Sequence, residues 1–260
     1  TIHGVVSSTT SSSTVSGIQL VGNLATGSIS KNRISDIKQT NPAGGGSNGL
    51  LLGASTTASD VTVSNNFIWD VASQGVNGVD VADNGYGIVA VSGGGYKIYD
   101  NSVNLNTDQA AANGITAGLN VLAAVTTAGA IDLRGNIFSS VQTVGTRYGV
   151  LSSAPSTVFA AIDYNDYFAQ NVGFIGGSAQ PSLPAWQAAT GQDANSIAAD
   201  PLFVSATDLH IDTSGGASPV ENAGTPLAGV ADDIDGDARS VLAPDLGADE
   251  VGAPPLLPND

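Results

Sequence analysis

The sequence predicts an all-β solenoid, and three observations predict it. A short motif recurs five times at a nearly constant period, glycine and small polar residues fill the spaces between copies, and 42% of the 260 residues are hydrophobic, enough to build a core. Only 12% of residues are charged while 33 are glycine, the composition of strands joined by turns.

The motif is centred on asparagine. Its copies are Ile29-Ser-Lys-Asn32-Arg-Ile34, Val63-Ser-Asn-Asn66-Phe-Ile68, Ile98-Tyr-Asp-Asn101-Ser-Val103, Leu133-Arg-Gly-Asn136-Ile-Phe138 and Ile162-Asp-Tyr-Asn165-Asp-Tyr167, with the asparagines 34, 35, 35 and 29 residues apart. The residue three before and the residue two after each asparagine is apolar in every copy, which isolated solvent turns would not require. Asparagine tolerates the left-handed backbone and its amide can bond a turn's own main chain, so it is expected at a tight corner. Coils stacked about 4.8 Å apart would bring the amides of Asn32, Asn66, Asn101, Asn136 and Asn165 into a hydrogen-bonded structural ladder, with the flanking aliphatics stacked beside it.

A second element precedes each asparagine: a glycine leading an apolar run, at Gly17, Gly49, Gly87, Gly114 and Gly149. The distance from this glycine to the asparagine varies (15, 17, 14, 22 and 16 residues), as expected when one turn is tight and another carries loops of free length. Each coil therefore has at least two strands. The expected organisation is a Ser/Thr-rich segment over 1–16 that supplies an edge strand, coils over 17–170, a capping region over 171–251 and a Pro-rich tail over 252–260.

After Phe168 the pattern changes. Ser182 to Gly191 reads as a short helix, with Ser182 as N-cap, Pro184 in the first turn and Gly191 as the stop, its apolar side set to cover an open coil. There follow Asp200-Pro-Leu-Phe203, Asp208-Leu-His-Ile211, Ser218-Pro219, Ala223-Gly-Thr-Pro226, Asp233-Ile-Asp-Gly-Asp-Ala-Arg239 and Pro244-Asp-Leu-Gly-Ala-Asp-Glu250. The coils resemble the right-handed parallel β-helix of pectate-lyase-like proteins. The ordered motifs after Trp186 resemble the closing region of exported bacterial β-helix proteins of the cell surface, with a departure at Val220-Glu-Asn222. The resemblance spans roughly Ile18 to Val251 and implies a right-handed parallel β-helix with a C-terminal cap containing a short helix. It also implies a secreted or cell-surface location. The absence of methionine, even at Thr1, leads us to expect an upstream segment removed by processing.

Charge narrows the partners. Seven Lys and Arg against 23 Asp and Glu leave a net charge of −16, which repels nucleic acid and anionic lipid, and no apolar run is long enough for a membrane span. Cysteine is absent, which removes thiolate metal sites and Cys nucleophiles. Eleven units of the negative charge lie in residues 200–260. Such crowding invites Ca²⁺ at Asp233, Asp235 and Asp237, although Gly236 is out of place for an EF-hand. In the other reading of the stretch, Arg239 pairs with Asp245, Asp249 or Glu250 while turn aspartates bond their own backbone.

Catalytic constellations are weak. Asp163 with Asp166 and Asp80 with Asp83 are the carboxylate pairs available to a glycosidase. A lyase face could draw on Lys31, Lys97 and Arg134, and His210 alternates with apolar neighbours on a strand. Trp69, Tyr99, Tyr148 and Tyr164 could stack on neutral glycans or simply pack at the edge of the core. The expected function is therefore a non-catalytic extracellular structural protein, an adhesin or a matrix or fibre subunit that self-associates head to tail through open solenoid ends. A carbohydrate-active enzyme and a glycan-binding module on the same fold are the alternatives.

Overall fold

The computed structural model describes residues 1–10, 13–75 and 84–252. Among the described residues three parallel sheets wind into a β-solenoid of about five coils, with a single short α-helix. A lead strand β1 (Ile2–Ser7) precedes the first coil, β2 (Val15–Gly22), β3 (Thr26–Ser30) and β4 (Arg33–Gln39). The second coil is β5 (Ser47–Ala54), β6 (Asp60–Ser64), β7 (Phe67–Trp69) and β8 (Val71–Ala72), and the third β9 (Gly85–Ser92), β10 (Tyr96–Tyr99) and β11 (Ser102–Leu105). The fourth is β12 (Ile115–Val121), β13 (Ile131–Arg134) and β14 (Ile137–Ser140), and the fifth β15 (Thr146–Ser152), β16 (Phe159–Asp163) and β17 (Asp166–Phe168). A sixth coil starts with β18 (Asn171–Ile175), on which β19 (Ser178–Gln180) folds back antiparallel, followed by α1 (Leu183–Thr190). A hairpin of β20 (Phe203–Ser205) and β21 (Asp208–Ile211) stands outside the coils.

Register aligns the motif across coils. Ile29, Val63, Ile98, Leu133 and Ile162 are successive partners in one sheet, and Ile34, Ile68, Val103, Phe138 and Tyr167 in the next. All ten are buried in one core cluster. Stacking identical apolar positions in columns removes their surface from water at every step, roughly 1.5–3 kcal/mol for each large side chain.

The glycine column has a steric cause. A Cβ on Gly49 would lie 2.4 Å from Ile68 Cγ2, on Gly87 2.4 Å from Val103 Cγ1 and on Gly118 2.6 Å from Phe138 Cδ1. Each glycine thus makes room for the apolar residue two past the asparagine of its own coil. In the fourth coil the member of this column is Gly118, whose neighbour Leu119 pairs with Ile88 and Val150. Gly114, expected from its Gly-Ile pair, lies four residues away, because the apolar run that matters starts later in β12.

The helix begins after Ser182 and ends on Gly191, whose φ of 71° is the left-handed stop that glycine permits. Trp186 is buried against Gly173, with its ring 6.4 Å from that of Tyr167. It fills the space that an apolar residue of a sixth complete coil would occupy. Closure of the end is therefore the work of residues 171–196. The rest of the expected cap, 197–251, together with Gly252, instead runs back along the flank of the stack as a strap, because its apolar residues find partners on the outside of the sheet formed by β4, β7, β11, β14 and β17: Phe67 packs with Leu209, Ile234 and Ala248, and Ile137 with Ile211, Val220 and Leu246.

Candidate functional site

The five asparagines form one column. Asn32 Nδ2 donates to Asn66 Oδ1 at 3.0 Å, Asn66 to Asn101 at 2.8 Å, Asn101 to Asn136 at 2.9 Å and Asn136 to Asn165 at 3.0 Å. The same Oδ1 atoms accept the backbone N–H of the preceding asparagine at 3.0–3.2 Å. Each Nδ2 from Asn66 onward also donates to a carbonyl of the previous coil, as Asn101 does to Val63 at 2.9 Å. One side chain per coil, fully buried from Asn66 onward, thus satisfies main-chain groups that the corner leaves without strand partners. Ser196 supplies the closing rung: its Oγ accepts the N–H of Asn165 at 2.7 Å and donates to Asp193, whose other oxygen takes the Tyr167 hydroxyl and Trp186 Nε1, both at 2.7 Å.

The left-handed residue is the one before each asparagine, and this corrects the expectation that the asparagine itself turns the corner. Lys31 (φ 57°), Asn65 (54°), Asp100 (50°), Gly135 (74°) and Tyr164 (56°) carry it. The ladder amide needs an extended backbone to point inward, so the strain falls on its neighbour, at roughly 1–2 kcal/mol for a residue such as Lys or Tyr.

The strap crosses all five coils beside this corner. Ile197 exchanges backbone bonds with Asn165 and Tyr167, Gly247 N–H donates to Gly135 O at 2.7 Å and Ala248 N–H to Ser102 Oγ at 2.9 Å. At the first two coils Asn65 Nδ2 reaches Asp232 O at 2.7 Å and Lys31 Nζ lies 2.7 Å from Asp232 Oδ2. Gly247 has φ 87°, and a Cβ there would lie 2.5 Å from Ile137 Cδ1. At the strap's centre Arg239 is buried: Nη2 donates to Asn65 Oδ1 (2.8 Å) and Gly247 O (2.6 Å), and Nη1 to Asp245 O (3.2 Å) and Glu250 Oε2 (3.4 Å). Of its three expected acidic partners it takes Glu250 by side chain.

Asp233, Asp235 and Asp237 do not share a ligand-holding centre. Asp233 Oδ1 accepts the backbone N–H groups of Asp235, Gly236 and Asp237 at 2.8–2.9 Å, and its Oδ2 that of Glu250 at 3.1 Å. Asp237 is exposed. Asp235 turns away to Arg33 (2.8 Å) and His210 Nε2 (2.7 Å), and His210 Nδ1 bonds Asp208. Among the described residues the group whose ligand atoms lie within 4.8 Å of one another is His210, Asp235 and Asp249. The Arg33 guanidinium within it competes for the carboxylate that a cation would need. Burial pulls His210 down, but its bonds to Asp208 and Asp235 and the charge of Asp249 outweigh that and raise its pKa. The arrangement is a clasp of opposite charges between strap and first coil.

The other candidates are spent on the fold. Asp163 accepts Asn195 N–H at 2.8 Å and Asn195 Nδ2 at 2.7 Å. Asp166 is fully buried, with Oδ1 accepting Ala199 N–H at 3.0 Å and Oδ2 without a partner, and burial pushes its pKa up to about 8. Asp80 and Asp83 lie outside the described residues. Lys97 pairs with Asp60 and Arg134 with Asp132, so with Lys31 on Asp232 no free cationic face is assembled from these three. Trp69, Tyr99 and Tyr164 pack under the strap and Tyr148 stands edge-on to Phe174, which removes them as exposed stacking platforms. Sequence reasoning missed Asp100, buried at the corner of the third coil; its burial is a product of the strap and has no signature in the repeat.

No protein-family model matches the chain, and no curated protein is significantly similar to it.

Proposed function

We propose that the chain is a non-catalytic structural protein of the bacterial exterior, a stiff solenoid serving as a surface adhesin or as a matrix or fibre subunit. One observation carries this reading: the flank beside the asparagine corner is occupied by the chain's own strap, and the contacts made there consume Lys31, Arg33, His210, Asp235 and Arg239. A catalytic groove needs acids and bases held free to meet substrate. The resemblance of the motifs after Trp186 to exported bacterial β-helix proteins supports a secreted or surface location, and the net charge of −16 argues against nucleic-acid partners. No helix of the described residues is long and apolar enough to cross a membrane.

Self-association belongs to the same proposal. The stack is covered by α1 and β19 at one end, while β1, β2 and β3 end their sheets at the other among the described residues, and the head-to-tail joint we propose runs through that open edge. The test of the functional reading is incubation with neutral and uronic polysaccharides. We expect no new reducing ends and no unsaturated products; either would overturn it. Concentration-dependent light scattering with electron microscopy tests assembly, and monomers at every concentration would remove the fibre reading.

A further inference from the structure

Where the strap crosses the third coil it encloses a cavity of about 150 Å³. Leu227, Val230 and Pro244 form apolar walls, Val241 stands at the rim, and Asp100 and Arg239 supply polar lining. Val241 is 83% exposed, so the rim is open to solvent.

Two polar groups in this lining lack partners. Asp100 is only 3% exposed, yet among the described residues its carboxylate accepts no hydrogen bond. Four other buried carboxylates, Asp193, Asp233, Asp245 and Glu250, each accept two or more, and only Asp166, with one, is similarly short of donors among those with no exposure. The second orphan is Arg239 Nε, buried and unpartnered. The guanidinium cannot turn to relieve it, because its Nη atoms are tied to four acceptors. A buried donor left unmet in this way is destabilising until something accepts from it.

We propose that this cavity binds a small neutral hydroxyl compound, either a polyol or the hydroxyl-bearing end of a neutral sugar. A hydroxyl is donor and acceptor at once, so it can give its proton to the Asp100 carboxylate and accept from Arg239 Nε–H. An ammonium has no acceptor for Nε–H. A carboxylate has no proton to give the Asp100 carboxylate and is repelled by its charge. The walls suit the C–H faces of a polyol, and the volume, about that of five waters, admits glycerol or one edge of a hexose and excludes a longer chain. Burial also pushes the Asp100 pKa up to about 7, with Arg239 opposing, so a donated hydrogen bond relieves a strained charge.

The inference goes beyond the scaffold reading and does not depend on it, since turnover of a polysaccharide would overturn that reading and leave the cavity as it is. The test is saturation-transfer NMR on the full chain with glycerol, erythritol and glucose, and with glucosamine and galacturonate as charged counterparts. We expect saturable binding of the neutral compounds and none of the charged ones; glycerol without glucose identifies a polyol site, and glucose binding a sugar-end site. Asp100→Asn should weaken binding about tenfold. Val241→Trp, on the exposed rim, should block entry while leaving the melting temperature unchanged. The proposal is overturned if no neutral compound saturates, if a charged counterpart binds better, if Val241→Trp binds as wild type does, or if crystals grown with glycerol hold only water in the cavity.

Discussion

The coil stack and the strap solve the same problem of buried polar backbone by opposite means. In the stack, regular parallel strands pair nearly every main-chain group, and one amide per coil repairs the corner. In the strap, regular structure is confined to the hairpin β20–β21, and its backbone is held by carboxylates: Asp233 takes four N–H groups, and Asp245 and Glu250 take two each. The stack distributes its stability over repeats, whereas the strap concentrates it in a few residues. This difference predicts where each part breaks.

The largest effect is expected within the ladder. Asn101→Ala removes both donor and acceptor from a fully buried rung and leaves main-chain groups of two coils unmet, for a loss of about 3–5 kcal/mol by urea unfolding. Asn32→Ala, at the partly exposed end, should cost about 1 kcal/mol; equal losses would refute a stack whose rungs depend on burial. Arg239→Met should cost about 3–5 kcal/mol by stranding Glu250, but locally. Limited proteolysis should then cut within 197–252 while the strand signal in circular dichroism persists, and loss of that signal would show that strap and stack unfold as one.

Smaller effects sharpen the comparison. Gly118→Ala drives a methyl into Phe138 and should cost about 2 kcal/mol, partly recovered by adding Phe138→Val. Gly114→Ala, which meets the flexible end of Gln109, should cost less than about 1 kcal/mol. Reversal of that order would return Gly114 to the column. Asp166 gives a pH test. Its folded pKa of about 8 lies above the ordinary 3.8, so the folded state holds the extra proton and the cost of Asp166 grows as pH rises from about 4 to 8. Asp166→Asn should therefore raise the melting temperature by a few degrees near pH 8.5 and hardly at all near pH 4; an equal shift at both would refute a protonated Asp166. The smallest effect expected is that of calcium: with Asp233 spent on four N–H groups and Arg33 on Asp235, added Ca²⁺ or a chelator should move the melting temperature by less than about 1 °C. A larger calcium-specific rise would restore the aspartates as ligands.

Much of the stack was legible in the chain. Asparagine with apolar residues at fixed offsets reads as a column because stacking multiplies one local choice by five, and the helix over 183–190 announced itself through Ser182, Pro184 and Gly191. The Gly118 position was harder, since Gly114-Ile115 mimics the motif and only inter-strand register separates them. The strap's route was not legible at all. Its motifs are turns, and a turn reports its own geometry, not the surface on which it comes to rest. Asp100 and Asp166 illustrate the consequence: nothing near them in sequence distinguishes them from exposed aspartates, and the strap that buries Asp100 comes from more than a hundred residues away.

The chain by itself determined the coil: which residues face inward, where the corner falls and which amide repairs it, because these follow from spacing along a single strand-turn-strand unit and are repeated in the next. Tertiary structure alone decided which flank is covered, which carboxylates lose water and where a cavity remains. Those outcomes depend on the fit between surfaces distant in sequence, and burial, which sets the cost of every charge and unmet hydrogen bond, exists only once those surfaces meet.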